Sequence, residues 1–214
     1  MEKKEAIRIL SECAKLYKAH LLNKNILIIF DTKDGPAYFE AVFLPRHFLH
    51  LTGVGLTNQT GGSSDFFRKC LSGRLNMADF YLLSDGTTEM KLRVLPQIMQ
   101  IQRFAKMIGD YDGSKTWLYT EKIAGNVTAC MGFVLNDDGK YFSPNTALNE
   151  DIRKITNRPQ HRILGIYMKN VGESRYTDKC FVAKGVNETG FYSVKELASL
   201  LQTQGKGQSG KTQQ

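Results

Sequence analysis

Residues 26–44 constrain the fold of this chain most. They read I-L-I-I-F, then D-T-K-D-G-P, then A-Y-F-E-A-V-F-L-P across residues 26–30, 31–36 and 37–45. A short, wholly apolar run is of strand type, the Asp, Gly and Pro cluster is a turn by composition, and the aromatic and β-branched run after it resumes strand character. The stretch therefore predicts a β-hairpin over residues 26–44, and a rigid hairpin fixes the position of whatever follows it. Directly after Pro45 comes R-H-F-L-H-L-T-G-V-G, Arg46 to Gly55. That decapeptide holds two of the four histidines, Arg46 and Thr52, and closes on glycines. Imidazoles pass protons near neutral pH, and a glycine-punctuated exit lets a backbone approach a ligand closely. The same residues also read as a strand ending in a turn, with His47 and His50 satisfied near the surface.

The elements around this stretch follow from periodicity. Ile7, Leu10, Ala14, Tyr17 and Leu21 recur at steps of three and four and predict a helix over Lys3 to Leu22. The polar loop 56–64 ends in capping serines, and Phe66, Phe67, Cys70 and Leu71 pair at four-residue spacing as a short helix ended by Gly73. A second short helix is expected over M-A-D-F-Y-L-L. T-E-M-K-L-R-V-L alternates like a strand, whereas Pro96 with Ile98, Ile101, Phe104 and Ile108 suggests a helix over 96–108 stopped by Gly109, which leaves 87–95 open. Later, T-W-L-Y-T, N-V-T-A-C-M-G-F-V-L, R-I-L-G-I-Y-M-K and K-C-F-V-A-K are strand candidates separated by turn material, with a short helix expected over 147–156. Ser193 and Glu196 form a capping box for a last helix that buries Leu197, Leu200 and Leu201. The expected architecture is α+β: an N-terminal helix and hairpin, a helical middle, then a four-stranded, mostly antiparallel sheet with a C-terminal helix. One domain over 1–203 accounts for it, with a helical and hairpin part at 1–110 and a sheet part at 115–203. The low-complexity tail 204–214 is expected to be disordered.

The 42% hydrophobic content supplies a sizeable core, and the net charge of +8 favours polyanionic partners, nucleic acid first and anionic membrane second. Cys13, Cys70, Cys130 and Cys180 are widely spaced among apolar neighbours, which suits reduced buried thiols better than disulfides. No apolar segment approaches the roughly 20 residues needed to span a bilayer. The N-terminus lacks the apolar centre of a signal peptide, so a cytoplasmic location is expected.

Of the standard signatures of phosphate and metal chemistry, G-x-S-x-G, H-E-x-x-H and a carboxylate run suited to magnesium are absent. The terminal G-K-G-Q-S-G-K-T has the spacing of a P-loop, but it lies in the low-complexity tail with no helix expected after it and is read as coincidence. What remains is a basic chain with His, Lys, Arg, Tyr and Thr near strand ends. That set fits a ribonuclease working without metal or cofactor: one group deprotonates the ribose 2′-hydroxyl, one protonates the leaving oxygen, and cations stabilise the crowded phosphate. His50 can act as base or acid, while Lys122, Lys169, Arg175 and Tyr176 lie at strand or loop ends where they could meet a phosphate. Each cation taken singly also reads as a solvated surface charge.

A string of motifs carries a resemblance. F-L-H-L-T-G-V, D-F-F-x-K-C-L-x-G-R-L, K-L-x-V-L-P-Q-I-M, A-K-M-I-G-D-Y, L-Y-T-E-K-I-A-G-N-V-T-A-C-M-G-F and P-N-T-A-L-N-E-D-I-R, in that order, resemble the fourth phage-associated group of the barnase–EndoU–colicin–RelE-like nuclease superfamily. The resemblance spans about residues 25 to 185. It implies helices followed by a four-stranded antiparallel sheet, and metal-independent endoribonuclease cleavage leaving a cyclic phosphate. Carried over, the catalytic set is His50, Thr52, Tyr119, Thr120 and Lys122. The resemblance also places Asn145 and Thr146 as expected nucleic-acid contacts, and the reading of the residues adds Arg46, His47, Lys169, Arg175 and Tyr176 to them. His161 is the late candidate for a second histidine, and a His-plus-Lys or His-plus-Tyr arrangement fits the chain better than two histidines. The expected partners are RNA, either tRNA or mRNA, and an inhibitor protein if the chain is a toxin; no membrane is expected. Competing readings are a non-catalytic nucleic-acid-binding module and an interaction protein of a phage or mobile element.

Overall fold

The computed structural model describes residues 1–116 and 118–201, so Trp117 of T-W-L-Y-T and the tail 204–214 lie outside the described residues. The expected hairpin forms: β1 (Lys24–Thr32) and β2 (Gly35–Phe43) pair antiparallel from Lys24↔Phe43 to Thr32↔Gly35. At its tip the Thr32 hydroxyl donates to the Gly35 carbonyl at 2.7 Å, and Gly35 takes φ +110°, a conformation open to glycine. The expected N-terminal helix is α1 (Lys3–His20), which buries Ala6, Leu10, Cys13, Ala14 and Tyr17.

The stretch after Pro45 is helical, not extended. A single 3₁₀ turn at Pro45–His47 leads into α2 (Phe48–Thr52), which Gly53 ends in the left-handed conformation at φ +68°. Proline at the first position and glycine just past the end are the usual helix punctuation. Phe48, Leu51 and Thr52, at helical spacing, form the buried face, and His50 points away from it to the surface. The Phe48 ring packs edge-on against Tyr17 at 5.4 Å and Phe67 at 5.3 Å, while the Tyr17 hydroxyl donates to the Leu44 carbonyl at 2.9 Å. Together these contacts fix how the chain leaves the hairpin.

Next come β3 (Val54–Leu56), α3 (Ser63–Ser72), β4 (Phe80–Leu82) and α4 (Thr87–Ile98). β3 and β4 form their own antiparallel pair, so the helix expected over M-A-D-F-Y-L-L is instead a strand. The alternating segment 87–95 is helix, and Pro96 sits inside α4 near its end. Beyond it, α5 (Ile101–Phe104) is a single turn, and Ile108 and Gly109 belong to strand β5 (Met107–Asp110). Asp79 ties this region together. It is 1% exposed, and its carboxylate accepts from the Lys69 ammonium and from the Asn76 N–H, while its carbonyl accepts from the Thr57 N–H at 3.1 Å and the Thr60 hydroxyl.

The remaining strands are β6 (Lys122–Gly125), β7 (Cys130–Leu135), β8 (Phe142–Leu148), β9 (His161–Asn170) and β10 (Asp178–Val182). They do not make the expected four-stranded antiparallel sheet. The strands run β1–β2–β8–β7–β6–β5–β9, and β9 returns to β1, closing a seven-stranded mixed barrel with β10 as an extra strand on β9. β2 meets β8 in parallel through a single pair, Ala41↔Phe142. Closure removes the edges of an open sheet. The overall α+β class stands. The helix expected over 147–156 is the end of β8 and a 3₁₀ turn at Ile152–Lys154. At the C-terminus a 3₁₀ stretch (Glu188–Ser193) precedes α6 (Lys195–Leu200), whose N-cap is Val194, and the Ser193 hydroxyl turns back to the Gly190 carbonyl.

Alternation along the strands sorts the core. Ile26, Ile28, Phe39, Ala41, Phe43, Phe133 and Ile166 join the buried faces of the helices in one apolar cluster. Leu27, Ile29 and Tyr167 point the other way, under Phe191 and Leu197 of the C-terminal segment. All four cysteines are free, with Cys13, Cys70 and Cys130 buried.

Candidate functional site

A cleft of about 490 Å³ opens where α2 meets the barrel. One wall carries Arg46, His47 and His50; the other carries Tyr119, Asn136, Asp137, Ser143 and Asn145. The first wall comes from the short helical element after the hairpin, and the second from the chain entering β6, the β7–β8 turn and the start of β8.

His47 is 4% exposed, and its Nδ1 lies 3.2 Å from both the Leu44 amide nitrogen and the Val42 carbonyl oxygen. One tautomer accepts from the first and the other donates to the second. In either case Nδ1 is held by backbone and Nε2 is the nitrogen left for the cleft. Burial, then the adjacent Arg46 charge, pulls His47 down to about 4. Its ring is therefore neutral at pH 7. In the unfolded chain it titrates near its ordinary value of 6.5, so between pH 6.5 and 4 the unfolded chain binds a proton that the native chain does not. Stability should fall by about 3 kcal/mol as pH drops through that window. Urea unfolding midpoints of wild type and His47→Gln between pH 7 and 4.5 test this. The variant should lose most of the slope, and parallel pH dependences for both proteins would contradict it.

His50 sits exposed at the cleft mouth. Partial desolvation of its ring and then the Lys91 charge lower it below the usual histidine value. Lys91, from α4, donates to the His50 carbonyl at 3.1 Å, and burial alone brings its ammonium down to about 8. One turn earlier on α4, the Thr88 hydroxyl donates to the Gly53 carbonyl. Lys91 was not legible as a site residue, because its segment alternates like a strand. In helical register it projects from α4 beside the buried Leu92 and Leu95.

On the far wall, the Asn145 amide donates to the Tyr119 carbonyl, and its Oδ1 accepts from the Thr120 hydroxyl at 3.2 Å. Thr120 is 7% exposed, and the Phe133 carbonyl, 3.1 Å from its hydroxyl, is the alternative acceptor for the same proton. Gly132 makes room for this cluster: a Cβ there would lie 2.6 Å from Thr120 Oγ1 and 2.7 Å from Thr146 Cγ2. Thr146 lies behind the wall, its Oγ1 buried without a hydrogen-bond partner. Tyr119 itself stands 78% exposed. Asn136 and Asp137 were read in the sequence only as turn material, and Ser143 was not singled out; their place in the cleft follows from the β7–β8 connection.

The structure thus brings Arg46, His47, His50, Tyr119 and Asn145 into one cleft, with Thr120 bonded directly behind. The other candidates lie elsewhere. Thr52 is fully buried and its hydroxyl donates to the Leu49 carbonyl at 2.7 Å. Lys122 pairs with Asp110 across β5 and β6, away from the cleft lining. Lys169 is 4% exposed with its ammonium 4.4 Å from the Tyr176 ring centre, and the Tyr176 hydroxyl donates to Glu40 at 2.7 Å. Arg175 is exposed in the loop that precedes β10. His161 packs on Phe30 at 5.3 Å, at the opposite end of the hairpin from His47. At roughly 3.3 Å per strand residue that places them about 20 Å apart. Among the described residues, no group of three or more His, Cys, Asp or Glu side chains is placed to hold a metal ion. No described helix is long and apolar enough to cross a membrane.

Compared with known proteins, residues 9–185 match the sequence profile of a family described as phage-Barnase-EndoU-ColicinE5/D-RelE like nuclease 4. Neither a curated protein nor a solved structure gave a significant match. Because the profile covers most of the chain, hairpin, barrel and cleft included, the protein belongs to the phage-Barnase-EndoU-ColicinE5/D-RelE like nuclease 4 family.

Proposed function

We propose that this nuclease-family protein is an endoribonuclease that cleaves RNA by attack of the 2′-hydroxyl on the adjacent phosphate, without a metal ion. One observation carries the reading. Arg46, His47 and His50 share a cleft with Tyr119 and Asn145, although the two sets lie about 70 to 100 residues apart in the chain. His50, exposed and neutral at pH 7, takes the 2′-hydroxyl proton as the oxygen attacks phosphorus. The Arg46 guanidinium faces the charge that builds on the phosphoryl oxygens. Tyr119 gives its hydroxyl proton to the departing 5′-oxygen and recovers it through solvent from His50. The products are a 2′,3′-cyclic phosphate and a 5′-hydroxyl. The net charge of +8 supports a polyanionic substrate and predicts salt-sensitive binding.

The test is cleavage of a single-stranded RNA oligonucleotide in excess chelator, with analysis of the product ends. Cyclic phosphate ends are expected, and hydrogen in place of the 2′-hydroxyl at the cut nucleotide should abolish cleavage there. Dependence on added divalent metal, or undiminished cutting of the deoxy-substituted strand, would overturn the mechanism. Salt-dependent RNA binding with no cleavage would identify a non-catalytic binding module instead.

A further inference from the structure

α2 is only five residues long, too short to hold a side chain in place by its own hydrogen bonds. The last carbonyls of any helix have no partner within it. Here the outgoing carbonyls of α2 are met from another element: Lys91 donates to the His50 carbonyl at 3.1 Å, and Thr88 to that of Gly53. The two donors are one turn apart on α4, so a single face of that helix clamps the end of α2. Thr88 is 2% exposed and also accepts from the Leu83 N–H at 2.9 Å, which ties the clamp to the chain leaving β4. The space over the Gly53 Cα is taken by Lys91: a Cβ at position 53 would lie 2.9 Å from Lys91 Cδ and 3.3 Å from the Thr88 Cα. Glycine at 53 therefore serves the left-handed turn and the passage of the lysine stem together.

We propose that Lys91 is a positioning residue for His50, its ammonium bound to the His50 carbonyl so that it holds the last turn of α2 in place and sets its charge near the imidazole. This rests on the reading of His50 as the base. The other titratable or charged groups around that ring are Arg46 and His47 on its own element, and Tyr119 and Asp137 on the opposite wall. Arg46 and His47 are left unchanged by substitution at Lys91. A cation at the C-terminal end of a helix is also favourable to that helix. A neutral donor at position 91 keeps a purely structural clamp and with it the burial of His50, so such a clamp would leave the His50 titration in place, and this separates the two roles.

The test follows the His50 ring Cε1–H resonance by NMR as a function of pH in wild type, Lys91→Gln and Lys91→Arg. Glutamine keeps a donor without the charge, and arginine keeps both. Lys91→Gln should shift the His50 titration upward, and Lys91→Arg should restore the wild-type curve. The acid limb of kcat/KM for RNA cleavage should move with it, so that Lys91→Gln loses several-fold more activity at pH 5.5 than at pH 8. An unmoved His50 titration in Lys91→Gln, or an arginine variant that matches glutamine, would overturn the proposal. A shifted titration in a protein that cleaves no RNA would retain the role of Lys91 and reject the ribonuclease reading. If Lys91→Gln does not fold, the arginine variant still decides, since a His50 titration displaced from wild type would contradict a role set by charge.

Discussion

His50→Gln is expected to lower RNA cleavage about 10²- to 10⁴-fold, the usual contribution of a positioned acid or base, while leaving the fold intact. The side chain is exposed at the cleft mouth, and α2 is held by Phe48 and Leu51, both fully buried, and by the contacts from α4. Substitution therefore removes the imidazole and little else. The pH profile should change in form as well as in height. A base works only when unprotonated, and desolvation with the Lys91 charge depresses His50 below the ordinary 6.5. Wild-type kcat/KM should accordingly hold to a pH below that value before falling, and the variant should lack this limb. His161→Gln, altered at the far end of the hairpin, is the matched control and should cleave like wild type. Wild-type rates in the His50 variant would remove His50 from the chemistry, and a rate loss confined to the His161 variant would move the site to the hairpin tip.

The second large effect concerns stability. Lys69→Met should destabilise the protein by about 3 kcal/mol or more at pH 7, since removing one partner of a buried ion pair leaves the other uncompensated. The Asp79 side chain is 2% exposed against 30% for Lys69, so the penalty falls on the carboxylate. Burial alone would push Asp79 up. The Lys69 ammonium and the Asn76 N–H outweigh it, and the group titrates below its ordinary 3.8. In wild type this lowered value contributes stability that is present above pH 3.8 and is lost as pH falls through the native value. Without Lys69 the sign reverses. Burial then dominates, the carboxyl rises, and the mutational penalty should shrink at acid pH as the group becomes neutral. Denaturant midpoints at pH 7 and pH 4 measure both effects. A loss below about 1 kcal/mol at pH 7, or a penalty that grows on acidification, would show that Asp79 is not held this way. Lys69 lies on α3, the helix whose Phe67 packs directly on Phe48 of α2.

The hairpin was legible because its two runs and its Asp-Gly-Pro turn are local signals. The cleft was half legible. The decapeptide after Pro45 displays its histidines, but its backbone was open to a strand reading because five helical residues give too short a window for periodicity. The Phe48, Leu51 and Thr52 spacing, with Pro45 before and Gly53 after, was the signal for a helix. Barrel closure was not legible. β6 has only four residues, and β8 reads F-S-P-N-T-A-L, with a proline and polar side chains inside a central strand. β5 is likewise only four residues, and it was absorbed into an apparent helical period. Which strand meets which is set by long-range pairing that no local pattern records. The same limit applies to Lys169, which lies in a clear strand pattern yet is buried under Tyr176 by a segment that arrives later in the chain.

The β2–β8 seam has one residue pair, whereas β1–β2 has nine, and the walls of the cleft stand on either side of it. Each wall is fastened internally: His47 to the backbone at the end of β2 and just past it, and Asn145 to Tyr119 and Thr120. Across the seam the hold is side-chain packing more than strand pairing: the Phe39 ring of β2 lies 5.0 Å from Phe133 of β7 and 4.7 Å from Phe142 of β8. The spacing of the two walls is thus set by buried aromatic contacts, while the groups on each wall are fixed by hydrogen bonds within it.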